Sequence, residues 1–318
     1  MTNCAIVGIG AYLPQKIITN NDLAQSVETT DEWIVSRTGI KKRHIVEDEL
    51  TSDLAAKAIL SALEYANLSP NDLDGVIVAT ATPDLIFPST ATSVQHKIGM
   101  QKGFAFDISA VCSGFIYALS VADSMIKAGN LKRIAVVGAE VLSKIVDWKD
   151  RSTCVLFGDG AGAVILEATK EKNRGILGTE IHSDGSLVDI LKVNGGVVKG
   201  SLEAKIEMNG REVFKNAVEK MSSSATNLLK THQVNFSDID WILTHQANYR
   251  IMQTVAQKLD IKGDKVIMTI DQHANTSAAS IPLALDVYMK TGKVKKGDLI
   301  LMTAVGAGLT WGSALVKL

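Results

Sequence analysis

Asp72-Leu73-Asp74-Gly75-Val76-Ile77-Val78 returns, 166 residues further on, as Asp238-Ile239-Asp240-Trp241-Ile242-Leu243-Thr244. Each copy passes from acidic residues into a short apolar run, the pattern of a buried strand. A second echo lies at an offset of 163: Ala122-Asp123 through Lys127 and Gly129, against Leu285-Asp286 through Lys290 and Gly292. Here the apolar spacing is helical and glycine closes the segment. Strand, helix, glycine stop and further strand thus occur twice, which suggests duplication of one α/β unit.

The rest of the chain agrees with alternating elements. Cys4 to Pro14 reads as a strand and turn, and the segment from Leu54 to Ala66 as an amphipathic helix. Gly75 to Thr80 is a buried strand, Ser113 to Gly129 a helix ended by glycine, and Arg133 to Glu140 the next strand. This alternation predicts an α/β fold with helices packed on sheets. At roughly 150 residues per domain, the length suits two units or one large one. The glycine- and charge-rich stretch Glu171 to Gly175 marks the division, giving halves of 1–172 and 173–318.

Composition narrows the function. Of 318 residues, 46% are apolar, enough for a sizeable core, and 33 basic side chains face 34 acidic ones. That balance, without a basic stripe, argues against nucleic-acid binding. The start has no basic region leading into a long apolar run, and no stretch reads as a membrane span, so a cytoplasmic protein is expected. The three cysteines, Cys4, Cys112 and Cys154, are odd in number and lack CxxC or zinc-like spacing. They are expected as reduced thiols, with no metal.

The echo also gathers chemistry. Carried back by 163 residues, Asn275 falls on Cys112; carried back by 166, His245 falls on Ala79 at the end of a strand. Cys112 and Asn275 are then each expected after a strand and before a helix, one per half. Ligands of α/β sheets bind beyond strand carboxyl ends. A two-fold repeat would therefore bring Cys112 and Asn275 face to face, with His245 beside them.

Each residue also has a plainer reading. Cys112 lies among small residues at the start of a helix, whose partial positive charge and free N–H groups favour a thiolate and an oxyanion. It could equally be a small buried residue, the reading that fits Cys4 and Cys154. His245 could be a satisfied core histidine, and Asn275 a helix cap. Together, though, a thiol can hold an acyl group while imidazole and amide N–H groups stabilise an enolate on a second thioester. That suits decarboxylative carbon–carbon bond formation. The same three residue types also serve cysteine hydrolases, but the surroundings of Cys112 are not papain-like.

Six segments in order carry a resemblance: Thr30 to Ile40, Asp107 to Gly114, Phe157 to Ala163, His245 to Asn248, His273 to Ser280 and Gly306 to Gly312. Together they resemble the β-ketoacyl-acyl-carrier-protein synthase III family, essentially end to end. The resemblance implies a thiolase-type fold of two similar halves, usually a homodimer. It implies an acyl group, typically acetyl, passing from coenzyme A to Cys112, then condensation with malonyl-acyl carrier protein. Coenzyme A is a substrate here, and no resident cofactor is implied.

The family's pattern further implies that His245 and Asn275 hold the malonyl thioester oxygen. The backbone N–H groups of Cys112 and of the loop at Ala307 would form the acylation oxyanion hole. Relatives often have three glycines where this chain has Gly306-Ala307-Gly308. Trp33 and Arg151 match an adenine-stacking pair, with Arg37 nearby. Gly210, Phe214, Ala247 and Asn248 match the pantetheine tunnel. Gln246, Ala247, Asn248, Tyr249 and Arg250 match a carrier-docking segment, with Lys215 or Lys258 close by. Phe87 matches a residue that crosses the dimer to close the acyl pocket. A thiolase-fold acyltransferase of specialised metabolism, using longer acyl groups, is the alternative; a silent relative would not need all three site residues. Gly8-Ile9-Gly10 lacks the third glycine of a dinucleotide fingerprint. Gly158 to Gly162 lacks the lysine of a P-loop and is expected to give a tight turn beneath the site.

Overall fold

The two echoes fold as matching elements. The computed structural model describes residues 3–201 and 203–318. In chain order the first elements are β1 (Asn3–Tyr12), β2 (Lys16–Thr19), α1 (Asn20–Leu23), α2 (Asp31–Thr38), β3 (Lys42–Ile45), α3 (Thr51–Ala66), β4 (Gly75–Ala79), α4 (Thr90–Lys97), β5 (Phe104–Ile108), α5 (Gly114–Lys127), β6 (Arg133–Glu140) and β7 (Gly160–Thr169). Then follow β8 (Gly175–Ser183), β9 (Leu191–Val193), β10 (Ile206–Met208), α6 (Gly210–Thr231), β11 (Trp241–Thr244), α7 (Tyr249–Lys258), α8 (Ile270–His273), α9 (Ser280–Lys290), β12 (Leu299–Gly306) and β13 (Thr310–Lys317). The first sheet runs β1-β7-β6-β4-β5 and the second β8-β13-β12-β11, so matched strands keep matched places.

The repeated sequence makes repeated contacts. The Asp74 carboxylate accepts the Arg133 N–H at 2.8 Å, and Asp74 N–H donates to Arg133 O at 2.8 Å. Asp240 grips Leu299 in the same way, at 2.8 and 3.0 Å. Asp72 and Asp238 each close a capping box on the turn before their strand, one of the ways an orphan amide is satisfied. Lys127 pairs with Asp123, and Lys290 with Asp286, both at 2.7 Å.

Strand alternation decides what each sheet covers. Ile77 and Ala79 join Phe115, Leu119, Ile281 and Leu285 in one core, so α5 and α9 lie between the sheets. Val76 and Val78 face the other way and pack with Leu54, Ile59 and Leu63 of α3. The outer face of the second sheet is covered by α6 and α7 through Met221, Leu228 and Val255. Five layers result, alternating helix and sheet. Truncating a fully buried Leu or Ile here to Ala costs roughly 2–5 kcal/mol. The pair Gly8 and Gly10 belongs to this packing: a Cβ at Gly10 would lie 2.3 Å from Ala62 N of α3.

One expectation is corrected. Cys112 does follow a strand, β5, but Asn275 does not. The counterpart of β5 has shrunk to a single parallel bridge, Ile242 to Val266, and the one-turn helix α8 leads into Asn275. The segment Val266 to Thr269 lacks the acidic start and apolar run that make β4 and β11 legible.

Candidate active site

Cys112 occupies a 3₁₀ turn, Val111–Ser113, that feeds into α5. Val111 adopts φ 47°, and Ala274, the residue before Asn275, φ 58°. A left-handed conformation in a residue with a side chain costs on the order of 1–3 kcal/mol and persists where packing imposes it. Here it precedes a site residue in both halves. Gly306 ends β12 against the Cys112 turn, and a Cβ there would fall 2.8 Å from Cys112 N.

His245 follows β11, its N–H donating to Thr303 O at 2.8 Å. Its Nδ1 lies 2.7 Å from Ser280 Oγ, which also accepts the Gln246 N–H at 3.2 Å. A Ser280 hydroxyl that gives its hydrogen to Nδ1 leaves the imidazole proton on Nε2. Burial pushes His245 down to about 3, so the ring is neutral. Asn275 is held by its backbone: its N–H donates to Leu156 O at 2.9 Å, and Gly158 N–H donates to its carbonyl at 3.0 Å. The glycine-rich segment thus forms a clasp beneath the site. Asn275 Oδ1 accepts the Ser277 N–H at 2.9 Å, so the amide caps a turn with its oxygen, and Nδ2 meets no acceptor among the described residues.

Cys112, His245 and Asn275 are 7%, 2% and 6% exposed and line one cavity of about 230 Å³. Trp33, Arg37, Gly210, Phe214, Ala247 and Asn248 line the same cavity. A second cavity of about 240 Å³ opens on Cys112, walled by Leu142, Ile145, Leu191, Ile206 and Ala307 among others. A thiol between a polar-ended channel and a greasy pocket can accept an acyl group from one and house its tail in the other. The helix start was expected to favour the thiolate. Burial acts against it: desolvation pushes the Cys112 thiol up to about 12, with the Ser277 hydroxyl lowering it and Glu140 raising it.

Residues 106–185 match the family described as 3-oxoacyl-[acyl-carrier-protein (ACP)] synthase III, and residues 229–318 match its C-terminal counterpart. Curated β-ketoacyl-[acyl-carrier-protein] synthases III from Ehrlichia canis and Paramagnetospirillum magneticum are 53% and 54% identical, covering 100% and 98% of both chains. The crystal structure of the 3-oxoacyl-[acyl-carrier-protein] synthase III from Aquifex aeolicus is 49% identical. It superposes with a TM-score of 0.95, covering 99% of this chain and 100% of that one. The chain belongs to the β-ketoacyl-[acyl-carrier-protein] synthase III family. Its architecture is accordingly the thiolase-type α/β fold, and its class is acyltransferase.

Seen as a synthase III, the remaining positions sort themselves. Two guanidinium groups stack on the Trp33 ring, Arg37 at 4.4 Å and Arg151 at 4.9 Å from its centre. Tyr249, Arg250, Lys215 and Lys258 are exposed. Asn248 caps α7, accepting the Arg250 N–H at 2.8 Å. Gln246 corrects the expectation of a docking contact, being only 1% exposed. Its amide donates to Thr244 O and Ile267 O and accepts the Thr269 N–H. It ties β11 to the segment that replaces the missing strand. Phe87 is 83% exposed, beside exposed Leu85 and Ile86, and lines neither cavity at Cys112.

Three residues around the site were not legible as site residues: Ser277, Ser280 and Glu140. Glu140 carried the strongest signal, an acid ending the otherwise apolar run from Ile134 to Ala139. Among the described residues no three His, Cys, Asp or Glu side chains converge as metal ligands would, and no helix is long and apolar enough to cross a membrane.

Proposed function

We propose that this family member performs the initiating condensation of fatty acid synthesis in two half-reactions on Cys112. In the first, the Cys112 sulfur attacks an acyl-coenzyme A, probed first as acetyl-coenzyme A, and coenzyme A leaves. The backbone N–H groups of Cys112 and Ala307 receive the oxyanion. In the second, malonyl-acyl carrier protein loses CO2, and the carbanion attacks the Cys112 thioester to release 3-oxoacyl-acyl carrier protein. His245 Nε2–H and Asn275 Nδ2 donate to the malonyl thioester oxygen, so no strong base is required. The observation that carries this reading is the convergence of Cys112, His245 and Asn275 on one channel whose other wall holds Trp33 and Arg37.

Residues 1–172 then supply the nucleophile and residues 173–318 the donor pair. Trp33, Arg37 and Arg151 take the adenine end of coenzyme A, and Gly210, Phe214, Ala247 and Asn248 its pantetheine. Exposed Tyr249 and Arg250, with Lys215 and Lys258, meet the acidic carrier protein. The chain works as a homodimer, in which the exposed Phe87 reaches the acyl cavity of a second copy. The three free thiols suit a reducing cytoplasm. Coenzyme A enters only as a substrate thioester.

Intact-protein mass after incubation with acetyl-coenzyme A, with peptide mapping, tests the reading. One acetyl group on Cys112 is expected. No adduct with any acyl donor would overturn it. The 240 Å³ cavity beyond Cys112 favours one second reading, priming by longer acyl groups. An adduct formed with those alone would select it.

A further inference from the structure

We propose that Glu140 is a positioning residue for the condensation step: acting through Ser277, it holds the Asn275 side-chain amide with its nitrogen toward the channel. The inference rests on the reading just given, in which Asn275 donates to the malonyl thioester oxygen.

Glu140 ends β6 and is completely buried. Its carboxylate accepts the Ala81 N–H at 3.1 and 3.2 Å, the Thr82 hydroxyl at 2.8 Å, the Thr80 hydroxyl at 3.3 Å and the Ser277 hydroxyl at 2.9 Å. It has no cation partner among the ion pairs of the described residues. A buried carboxylate without a counter-ion is costly. The fold itself does not require an acid at this strand end, because the equivalent end of β12 is Gly306.

The strand is shaped to reach the turn that follows Asn275. Residues two apart share one face of a strand, so Gly138 and Glu140 point the same way. A Cβ at Gly138 would lie 2.2 Å from Ala278 O. Its absence lets the 3₁₀ turn Ser277–Ala279 lie against β6. Two residues on, Glu140 Oε1 accepts the Ser277 hydroxyl of that turn.

Ser277 transmits the hold. It adopts φ 48°, a left-handed conformation that a residue with a side chain keeps only where its surroundings impose it. From there its N–H donates to Asn275 Oδ1 at 2.9 Å. The last torsion of an asparagine is roughly two-fold, so its amide can present either oxygen or nitrogen. A backbone N–H only donates, so this contact selects the oxygen. Nδ2 is left for the cavity that Asn275 shares with Cys112 and His245. The flipped amide would set its oxygen against the substrate oxygen. Glu140 lines neither cavity at Cys112, so it acts through the turn and not on the substrate.

The test separates the two steps. Acylation of Cys112 by acetyl-coenzyme A is followed by rapid quench, and the acylated enzyme is then mixed with malonyl-acyl carrier protein for a single turnover. Outright loss of such a donor costs roughly 10²–10³-fold, and a loosened donor should cost less. Glu140→Ala and Ser277→Ala should each lower the ratio of condensation to acylation rates roughly tenfold. Glu140→Gln, which keeps an acceptor at Oε1, should recover most of that loss. A double-mutant cycle decides: in an Asn275→Ala background, Glu140→Ala should lower the ratio no further, because no amide remains to be oriented. Additive losses in that cycle sink the proposal, as does equal slowing of both steps by Glu140→Ala. If Glu140→Ala does not fold, Ser277→Ala, which changes one small buried hydroxyl, runs the same cycle. An Asn275→Ala variant that condenses at the wild-type rate would instead remove the reading on which the proposal stands.

Discussion

The ends of β6 and β12 hold equivalent places in the two halves, yet one is a buried acid and the other has no side chain. Glu140 fills its place and bonds to the turn that carries Asn275, through Ser277. Gly306 leaves its place empty beside Cys112 N. The duplicated scaffold thus supplies two matched strand ends facing two matched turns. What differs is whether the wall offers an acceptor side chain or a bare stretch of backbone. The nucleophile faces the bare end, where amide hydrogens can meet an oxyanion. The opposite turn is braced by a side chain and projects its own amide into the channel.

The largest effect should come from the residue with no stand-in. Cys112→Ala should give no acyl adduct by intact mass, whatever the donor. Next come the two donors of the second half. His245→Ala and Asn275→Ala should each lower condensation with malonyl-carrier protein roughly 10²–10³-fold while Cys112 still acylates, measured by quenched acylation and by product formation separately. Loss of acylation with condensation intact in Asn275→Ala would reverse the division between the halves. Gly306→Ala should do the opposite, slowing acylation first, because its Cβ crowds the Cys112 amide at 2.8 Å and the Ala110 carbonyl at 2.7 Å.

The architecture was legible because it is written twice. Asp72 to Val78 and Asp238 to Thr244 make the same backbone grips, so a repeated pattern meant a repeated structure. Cys112, His245 and Asn275 could be placed together for the same reason. Legibility failed where contact partners lie far apart in sequence. Gln246 sits in a segment that reads as a docking surface, yet its amide turns inward to Ile267 and Thr269. Ser277 and Ser280 look like ordinary helix-start residues until Glu140 and His245 are seen against them. For the Cys112 thiol, the helix start is visible in sequence, and the desolvation that opposes it is not.

The buried acid and the buried histidines should also differ in pH sensitivity. Burial pushes His245 down to about 3 and His273 to about 4 from an ordinary 6.5. The unfolded chain then takes up protons that the folded chain refuses, so stability falls as pH drops below 6.5. Glu140, raised to about 7 from 4.5, works the other way: the folded chain holds its proton more tightly, and that contribution is lost as pH rises through 7. Thermal unfolding against pH should show His273→Gln flattening the acid side, by an amount on the order of 3 kcal/mol at most. Glu140→Gln should instead raise relative stability above pH 7. Identical pH profiles for the two variants would contradict the opposite signs assigned to Glu140 and to the buried histidines.

The smallest expected difference concerns the central helices, where the sequence echo is nearly literal. Asp123 and Asp286 are both buried, and each meets a lysine one turn later at 2.7 Å. The lysines are not equivalent. Lys127 also donates to Ile176 O at 3.2 Å, so it links α5 to β8 of the other half, whereas Lys290 is the more exposed member, at 43% against 33%. Removing Lys127 leaves a buried carboxylate and a strand carbonyl without a partner, a loss of roughly 2 kcal/mol. Removing Lys290 leaves only the buried Asp286 carboxylate, whose partner is the more exposed lysine, a loss of about 1 kcal/mol. Denaturant unfolding of Lys127→Met and Lys290→Met measures both. A larger loss in Lys127→Met would mean that the duplicated pair was recruited, in one half only, to fasten the halves together. Equal losses would mean that each pair serves its own helix, and that the sheets are joined by the apolar layer between them alone.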